Sequence, residues 1–197
     1  MAHFCVNCGA ALVSQSIEGR ELEVCPKDGY VLWRDPKVAA AVVVETNGGI
    51  VLGRRAIEPG YGLWCLPGGF VDDDEDPAAA AVRECREEIN AQVVLTGLLG
   101  VYHIAKTTAS SIIGIAYRGR LVDGASISAG PEMLEVAVFS PDEVPQVAFP
   151  SHQAVLSAYV RSPAQQGGAE LLNAAAAAQL ASQPSPVREA PRRRRTR

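Results

Sequence analysis

The amino-acid sequence predicts an α+β fold, a mixed-sheet α/β/α sandwich preceded by a small cysteine-containing module. Three observations predict it: apolar runs of strand length recur along the chain, two segments have helical patterns, and three of the five cysteines lie near the start. A chain of 197 residues with 48% hydrophobic content buries one sizeable core but not two full domains. We therefore expect a module at residues 1–33, a main domain at 34–161 and a low-complexity, disordered basic tail at 162–197.

The N-terminal module is predicted to contain two cysteine-bearing turns joined by a hairpin that turns at Glu18-Gly19-Arg20. Its candidate metal ligands are Cys5, Cys8, Cys25 and Asp28. They have the knuckle spacing of a four-ligand zinc ribbon, but aspartate stands where a fourth cysteine is expected. Three alternatives follow: a Cys₃Asp zinc site, a site that recruits His3, or a module without metal.

The strands of the main domain are predicted from apolar runs that end at turn residues. Lys37 to Glu45 is a continuous apolar run of the length expected for a strand covered on both faces. Asn47-Gly48-Gly49 then closes a hairpin into a second strand. The remaining predicted strands are Ile50 to Arg54, Gln92 to Ile104, Ser111 to Leu121 and Leu134 to Phe139.

Two helices are predicted between and after these strands. Asp76 can cap the first helix, and Pro77 fits its first position, where a missing N–H costs nothing. Alanines follow, and Asn90 tolerates the left-handed conformation that ends a helix. Pro150 to Val160 is predicted to form the second helix, with an apolar stripe.

Charge is distributed unevenly along the chain. The net charge is −4, yet the last ten residues carry six arginines, so the rest of the chain is clearly acidic. An acidic body argues against a duplex-binding surface spread over the fold, although the basic tail keeps nucleic acid as an alternative partner. Because we find neither a signal-like start nor an apolar run of roughly 18 residues, we expect a cytoplasmic protein without a membrane partner.

The segment from Gly69 to Ala91 carries the candidate chemistry. On a helix, Glu84, Glu87 and Glu88 stand at i, i+3 and i+4, so three carboxylates share one face. Mg²⁺ relieves their repulsion and completes its coordination with water and substrate phosphates, so the pattern indicates phosphate chemistry. The alternative is an ordinary solvated helix face with intrahelical pairs such as Arg83 with Glu87.

Two features beside this helix would support such a site. Pro67-Gly68-Gly69 lets the backbone approach the carboxylates, so a carbonyl there could provide another metal ligand. An ion pair between Glu75 and Arg83 could tie the preceding loop to the helix.

This segment resembles the Nudix box, GX5EX7REUXEEXGU, in which U is a bulky aliphatic residue. The matching positions are Gly69, Glu75, Arg83, Glu84, Glu87 and Glu88. Cys85 fills an aliphatic slot and Asn90-Ala91 replaces the closing pair; both departures are physically mild. With the flanking segments and the cysteine module, the chain is similar to zinc-ribbon Nudix hydrolases that act on ADP-ribose, FAD or related dinucleotides.

The resemblance implies hydrolysis of a pyrophosphate bond with Mg²⁺ or Mn²⁺, giving a nucleoside monophosphate and a phosphorylated product. The implied metal ligands are Glu84, Glu87, Glu88 and the carbonyl of Gly68. The implied supporting residues are Gly69, Glu75 and Arg83. The catalytic candidates are Glu88, Glu87 and Glu135, with Glu88 and Glu135 as alternatives for the general base.

Substrate identity is less strongly indicated than the reaction. Tyr61, Trp64, Tyr102 and Phe149 could stack on a base or flavin ring, and core packing is the alternative for each. The SQPWPFPxS array of related NADH pyrophosphatases is replaced after the box, which favours ADP-ribose or FAD. The alternative functions are an RNA 5′-end or cap pyrophosphohydrolase and a non-enzymatic nucleotide-binding regulator; the complete glutamate set argues against the regulator. Similar enzymes are frequently homodimers.

Overall fold

The computed structural model describes residues 2–105 and 110–161, so the predicted tail lies outside the described residues. The described residues form two compact units. One consists mainly of the residues up to Pro36, and the other consists of Lys37–Ile104 and the residues from Ile112 onwards.

The first unit is a three-stranded antiparallel sheet in the order β1-β2-β3. Its strands are β1 (Val13–Ile17), β2 (Arg20–Val24) and β3 (Val31–Leu32). Glu18 and Gly19 connect β1 to β2 with φ angles of 50° and 75°, the positive values that a two-residue hairpin turn of the favoured hand requires. The predicted hairpin is therefore confirmed.

The second unit is built on a mixed sheet with a main path of β10-β5-β4-β9-β8. Its elements in chain order are β4 (Lys37–Thr46), β5 (Gly49–Arg55), β6 (Trp64–Cys65), β7 (Gly68–Phe70), α1 (Pro77–Ile89), β8 (Val93–Ile104), β9 (Ile112–Leu121), β10 (Met133–Phe139) and α2 (Pro150–Arg161). The pairing of β4 with β9 is parallel and the others are antiparallel, which makes the sheet mixed as predicted.

Strand β4 is covered on both faces, because a hydrophobic cluster lies on each side of the sheet. Val42 and Val44 belong to the cluster that includes residues of α1, such as Ile89. Val43 belongs to the other cluster, together with Leu156 of α2. Successive side chains of a strand point to opposite faces, so one helix packs on each side and the predicted sandwich is confirmed.

The glycine-rich segment after β5 forms two short strands that the sequence does not predict. In β4, residues Val44 to Thr46 pair with β5, and residues Ala39 to Ala41 pair with β7. Gly68 permits this pairing, since a Cβ there would overlap the carbonyl of Ala40. Backbone pairing thus places the Gly68-Gly69 segment at the centre of the sheet.

Helix α1 begins and ends as predicted. Asp76 accepts hydrogen bonds from the N–H groups of Ala78 and Ala79, at 2.8 and 3.4 Å, and Pro77 opens the helix. Asn90 ends it in the left-handed conformation, with φ 49° and ψ 31°. No helix within the described ranges is long and apolar enough to cross a membrane.

Candidate active site

A cavity of about 1000 Å³ in the second unit is lined by residues of the central strands, both helices and their connecting segments. Its polar lining includes the carboxylates of Glu84, Glu87, Glu88 and Glu132. Its apolar and aromatic lining includes Tyr102, Ile104, Ile112 and Phe149. The cavity therefore combines a cluster of carboxylates with surface that fits a ring system.

Arg83 organises the carboxylates, because all five of its N–H donors have acceptors. Its Nε and Nη2 atoms bind the two carboxylate oxygens of Glu75, each at 2.8 Å. Nη1 donates to Glu84 at 2.8 Å and to Glu87 at 3.1 Å, and Nη2 also donates to the carbonyl of Phe70 at 3.1 Å. The expected ion pair between Glu75 and Arg83 is present, and it ties the loop before α1 to the helix.

Gly69 gives the Glu84 carboxylate its space. A Cβ on Gly69 would overlap both oxygens of that carboxylate, so any larger residue would displace Glu84 or the strand. The pairing of Gly69 with Ala40 fixes the strand. Glycine at this position therefore allows α1 and β7 to approach closely.

Glu88 is the most buried of the glutamates that line the cavity, with 5% of its surface exposed. Its Oε2 accepts a hydrogen bond from the Gly68 N–H at 2.9 Å. Burial raises the pKa of Glu88 to about 8, against the opposing effect of the Gly68 N–H, and the charges of Glu84 and Glu132 raise it further. Gly68 thus contacts Glu88 through its amide, and the metal-ligand role predicted for its carbonyl stays a prediction.

The carboxylates have the donor chemistry that fits a hard divalent cation. Burial also raises the pKa of Glu84, and the charge of Glu87 adds to that effect. The raised pKa values of Glu84 and Glu88 mean that nearby positive charge and hydrogen bonds do not fully offset the burial of these two carboxylates. A divalent cation bound by oxygen ligands would supply that compensation.

The downstream carboxylate in the cavity is Glu132. It lines the cavity, and its charge raises the pKa of both Glu84 and Glu88. The structure does not bring Glu135 to this cavity: Glu135 lies on the edge strand β10, about half exposed, 3.7 Å from Arg54. The sequence interpretation missed Glu132, which lies three positions before Glu135 in a loop. The Gly130 N–H of this loop donates a hydrogen bond to the Glu88 carbonyl and so holds the loop against the end of α1.

Arg55 brings a cation to the same cavity, and only 8% of its surface is exposed. Its Nε donates to the carbonyl of Pro59 at 2.8 Å, and its guanidinium stacks over the Phe149 ring at 5.0 Å. Within the described ranges it has no carboxylate within 4 Å, although its charge lowers the pKa of Glu88. The sequence interpretation did not assign Arg55 a role.

The four aromatic residues named as candidate substrate contacts lie in different environments. Phe149 lines the cavity. Trp64 packs edge to face against Phe139 at 4.7 Å, in the hydrophobic cluster next to α2, and is not part of the cavity lining. Tyr61 is exposed and lies outside the lining as well, whereas Tyr102 belongs to it.

In the first unit, the candidate zinc ligands come together. One potential ligand atom from each of Cys5, Cys8, Cys25 and Asp28 lies within 4.8 Å of the others. Asp28 accepts the Tyr30 N–H at 3.0 Å, which lowers the pKa of its carboxyl to about 2 and keeps it ionised. His3 lies outside the cluster and bonds to Glu23 at 2.7 Å.

A family model described as the NUDIX domain matches residues 35–159. The chain belongs to the NUDIX family. The cavity carboxylates lie within the matched range, and the predicted family resemblance is therefore confirmed.

Individual NUDIX relatives agree with this assignment. An ADP-ribose pyrophosphatase from Methanocaldococcus jannaschii is 32% identical over 133 residues, which are 67% of this chain and 78% of the relative. An RNA pyrophosphohydrolase from Gluconacetobacter diazotrophicus is 34% identical over 90 residues, 41% of this chain and 54% of the relative. The crystal structure of a NUDIX hydrolase from Nitrosomonas europaea has a TM-score of 0.71 and 32% identity, and the match covers 80% of this chain and 90% of that one.

As a NUDIX hydrolase, the chain is an enzyme that hydrolyses pyrophosphate bonds. Enzymes of this family generally use divalent metal ions such as Mg²⁺ or Mn²⁺. The cavity carboxylates described above have the donor chemistry for such an ion.

Proposed function

We propose that this enzyme hydrolyses the pyrophosphate bond of a nucleoside diphosphate derivative, with ADP-ribose or FAD as substrate and Mg²⁺ as the metal. The observation that carries the proposal is one cavity that holds the box glutamates, a buried arginine and aromatic surface. Its volume of about 1000 Å³ accommodates a molecule of that size. The relative named ADP-ribose pyrophosphatase supports the choice of substrate.

Glu84, Glu87 and Glu88 would hold Mg²⁺, together with the carbonyl of Gly68. A bound divalent cation supplies positive charge at the pyrophosphate and lowers the pKa of water. Arg83 holds the Glu84 and Glu87 carboxylates, and the Gly68 N–H holds Glu88, so the ligands are positioned before substrate arrives. Positioning of this kind limits the reorganisation needed during reaction.

The general base is assigned to Glu132 in place of Glu135. Glu132 lines the cavity and interacts electrostatically with two of the proposed metal ligands, Glu84 and Glu88. It would accept the proton of the attacking water. Glu88 is the less suitable base because its Oε2 already accepts the Gly68 N–H.

Arg55 and Tyr102 are assigned to substrate binding. The Arg55 guanidinium is buried and has no carboxylate within 4 Å among the described residues. Such a cation favours binding of an anion, and substrate phosphate provides one. Phe149 orients Arg55 by stacking on it. Tyr102 is the aromatic residue that we assign to a base or flavin ring.

We also assign Zn²⁺ to the cluster of Cys5, Cys8, Cys25 and Asp28. Thiolates and a carboxylate are zinc ligands, and four of them match the coordination number of a structural site. A unit with three short strands has little core of its own, so metal binding would contribute to its folding.

The test is a substrate panel of ADP-ribose, FAD, NADH and 5′-triphosphate RNA, assayed with Mg²⁺, Mn²⁺ or EDTA. We expect release of a nucleoside monophosphate from ADP-ribose or FAD, and a loss of at least 100-fold in kcat for Glu88→Gln, a substitution inside the proposed metal site. Glu135→Gln is the matched control, since it makes the same chemical change outside the cavity and should retain activity. If no substrate is turned over, the proposed activity is wrong.

The RNA arm of the panel tests a second candidate function, which the RNA pyrophosphohydrolase relative favours. If RNA is the substrate, RNA should be hydrolysed in preference to ADP-ribose. The affinity for RNA should also fall steeply with salt if the arginine-rich tail contributes phosphate contacts. Removing residues 162–197 should leave ADP-ribose turnover nearly unchanged under the main proposal.

A further inference from the structure

His152, in the first turn of α2, has no part in the function proposed above. Its Nδ1 accepts a hydrogen bond from the Leu66 N–H at 3.1 Å. Its ring packs edge to face against Phe149, with centroids 5.1 Å apart, and lines the cavity that contains Glu88. His152 thus contacts both the segment that leads to Gly68 and the space where a substrate would bind.

The contact with Leu66 determines where the imidazole carries its proton. Burial, reinforced by the charge of Arg55, lowers the pKa of His152 to about 4, so the ring is neutral at pH 7. A neutral imidazole has one N–H. Because Nδ1 accepts the Leu66 amide hydrogen, the proton lies on Nε2.

The Nε2–H of His152 is available to a bound molecule. In the part of the chain that the structure describes, no group forms a hydrogen bond with Nε2. Thr96 Oγ1 is the one fully buried side-chain polar atom without a partner there, so Nε2 is not fully buried. The atom therefore keeps accessible surface, on a ring that lines the cavity. If a substrate excluded water from this N–H without replacing its hydrogen bond, binding would be weakened.

We propose that His152 is a substrate-binding residue that donates its Nε2–H to a phosphate oxygen of the nucleoside diphosphate derivative. The inference rests on the proposed function. Phosphate is the acceptor that fits, because the charge of Arg55 acts on both His152 and Glu88 and favours an anion in the same cavity. The Leu66 amide fixes the donor, and Glu88 holds the same backbone segment through Gly68.

Two substitutions separate this role from a purely structural one. His152→Asn keeps an acceptor near the position of Nδ1 but does not reach the position of Nε2. His152→Gln places an amide near Nε2 but gives up the acceptor for Leu66. We expect His152→Asn to raise KM for ADP-ribose roughly 3- to 10-fold with little change in kcat, as expected for loss of one neutral donor, whereas His152→Gln should retain KM within about twofold.

An unchanged KM in His152→Asn, together with a raised KM in His152→Gln, would show that only the contact with Leu66 matters and would overturn the proposal. ¹⁵N NMR of the histidine-labelled full chain provides a second readout. The His152 spectrum should show a neutral Nε2–H tautomer, and the Nε2 signal should shift when ADP-ribose is added in EDTA, where turnover does not occur. A protonated Nδ1, or no shift, also contradicts the inference.

The two proposals fail in distinguishable ways. If the wild-type enzyme hydrolyses neither ADP-ribose nor FAD, the proposed function is wrong, while an Nε2 shift on adding ADP-ribose would still support the binding role of His152. If turnover is normal and the His152→Asn kinetics equal those of the wild type, the binding role is wrong and the function stands.

Discussion

Replacing Arg83 by methionine tests the arrangement of the carboxylates most directly. The substitution removes five hydrogen bonds and the guanidinium that binds Glu75, a side chain with only 3% exposure. Breaking a buried ion pair by removing one partner costs about 3–5 kcal/mol. Because the Arg83 side chain is itself 17% exposed, we expect the lower end, about 3 kcal/mol of unfolding free energy.

Urea unfolding of the full chain, followed by tryptophan fluorescence, measures this loss. Arg54→Met is the matched control: its pair with Glu135 is 3.7 Å long and about half exposed, so the cost should stay below about 1 kcal/mol. Adding Glu75→Gln to Arg83→Met should recover part of the loss, since it removes the carboxylate charge left behind. A loss of less than about 1 kcal/mol for Arg83→Met would refute the idea that Arg83 holds this site together.

Three further predictions concern other parts of the molecule. Gly69→Ala should lower kcat/KM by at least about 10-fold and weaken the Mg²⁺ dependence in a metal titration, because its Cβ would overlap the Glu84 carboxylate. Asp28→Cys should raise zinc affinity in competition with a chromophoric chelator, because it adds a fourth thiolate; equal affinity would contradict the Cys₃Asp assignment. The folded pKa of His152, about 4, lies below the unfolded value of about 6.5. The free energy of unfolding should therefore fall by up to about 3 kcal/mol as pH drops from 6.5 to 4, with no effect of His152 above pH 6.5. His152→Phe should show a flatter pH dependence of urea unfolding in this range.

Much of the fold follows from local patterns in the sequence. The capping by Asp76 and Asn90 and the length of β4 are local properties, so they were predictable within a few residues. Strands β6 and β7 were not, because they consist of two and three residues and form by pairing with β5 and β4. A strand of that length has no periodicity to detect.

The candidate site divides in the same way. Helical spacing is enough to place Glu84, Glu87 and Glu88 on one face, and in the structure all three line the same cavity. Helical spacing does not reach Glu132 or Arg55, which come from a loop and a strand far apart in the sequence.

The sequence by itself determined the family, the order of the longer strands and the helices, and the carboxylate helix, because these depend on residue type and spacing along one segment. Only the tertiary structure decided which distant residues join that helix. Gly130 brings Glu132 to α1, the sheet brings Arg55 to the same cavity, and the packing of α2 turns His152 toward Leu66. Such contacts depend on how elements pack, and packing is not encoded in any short stretch of sequence.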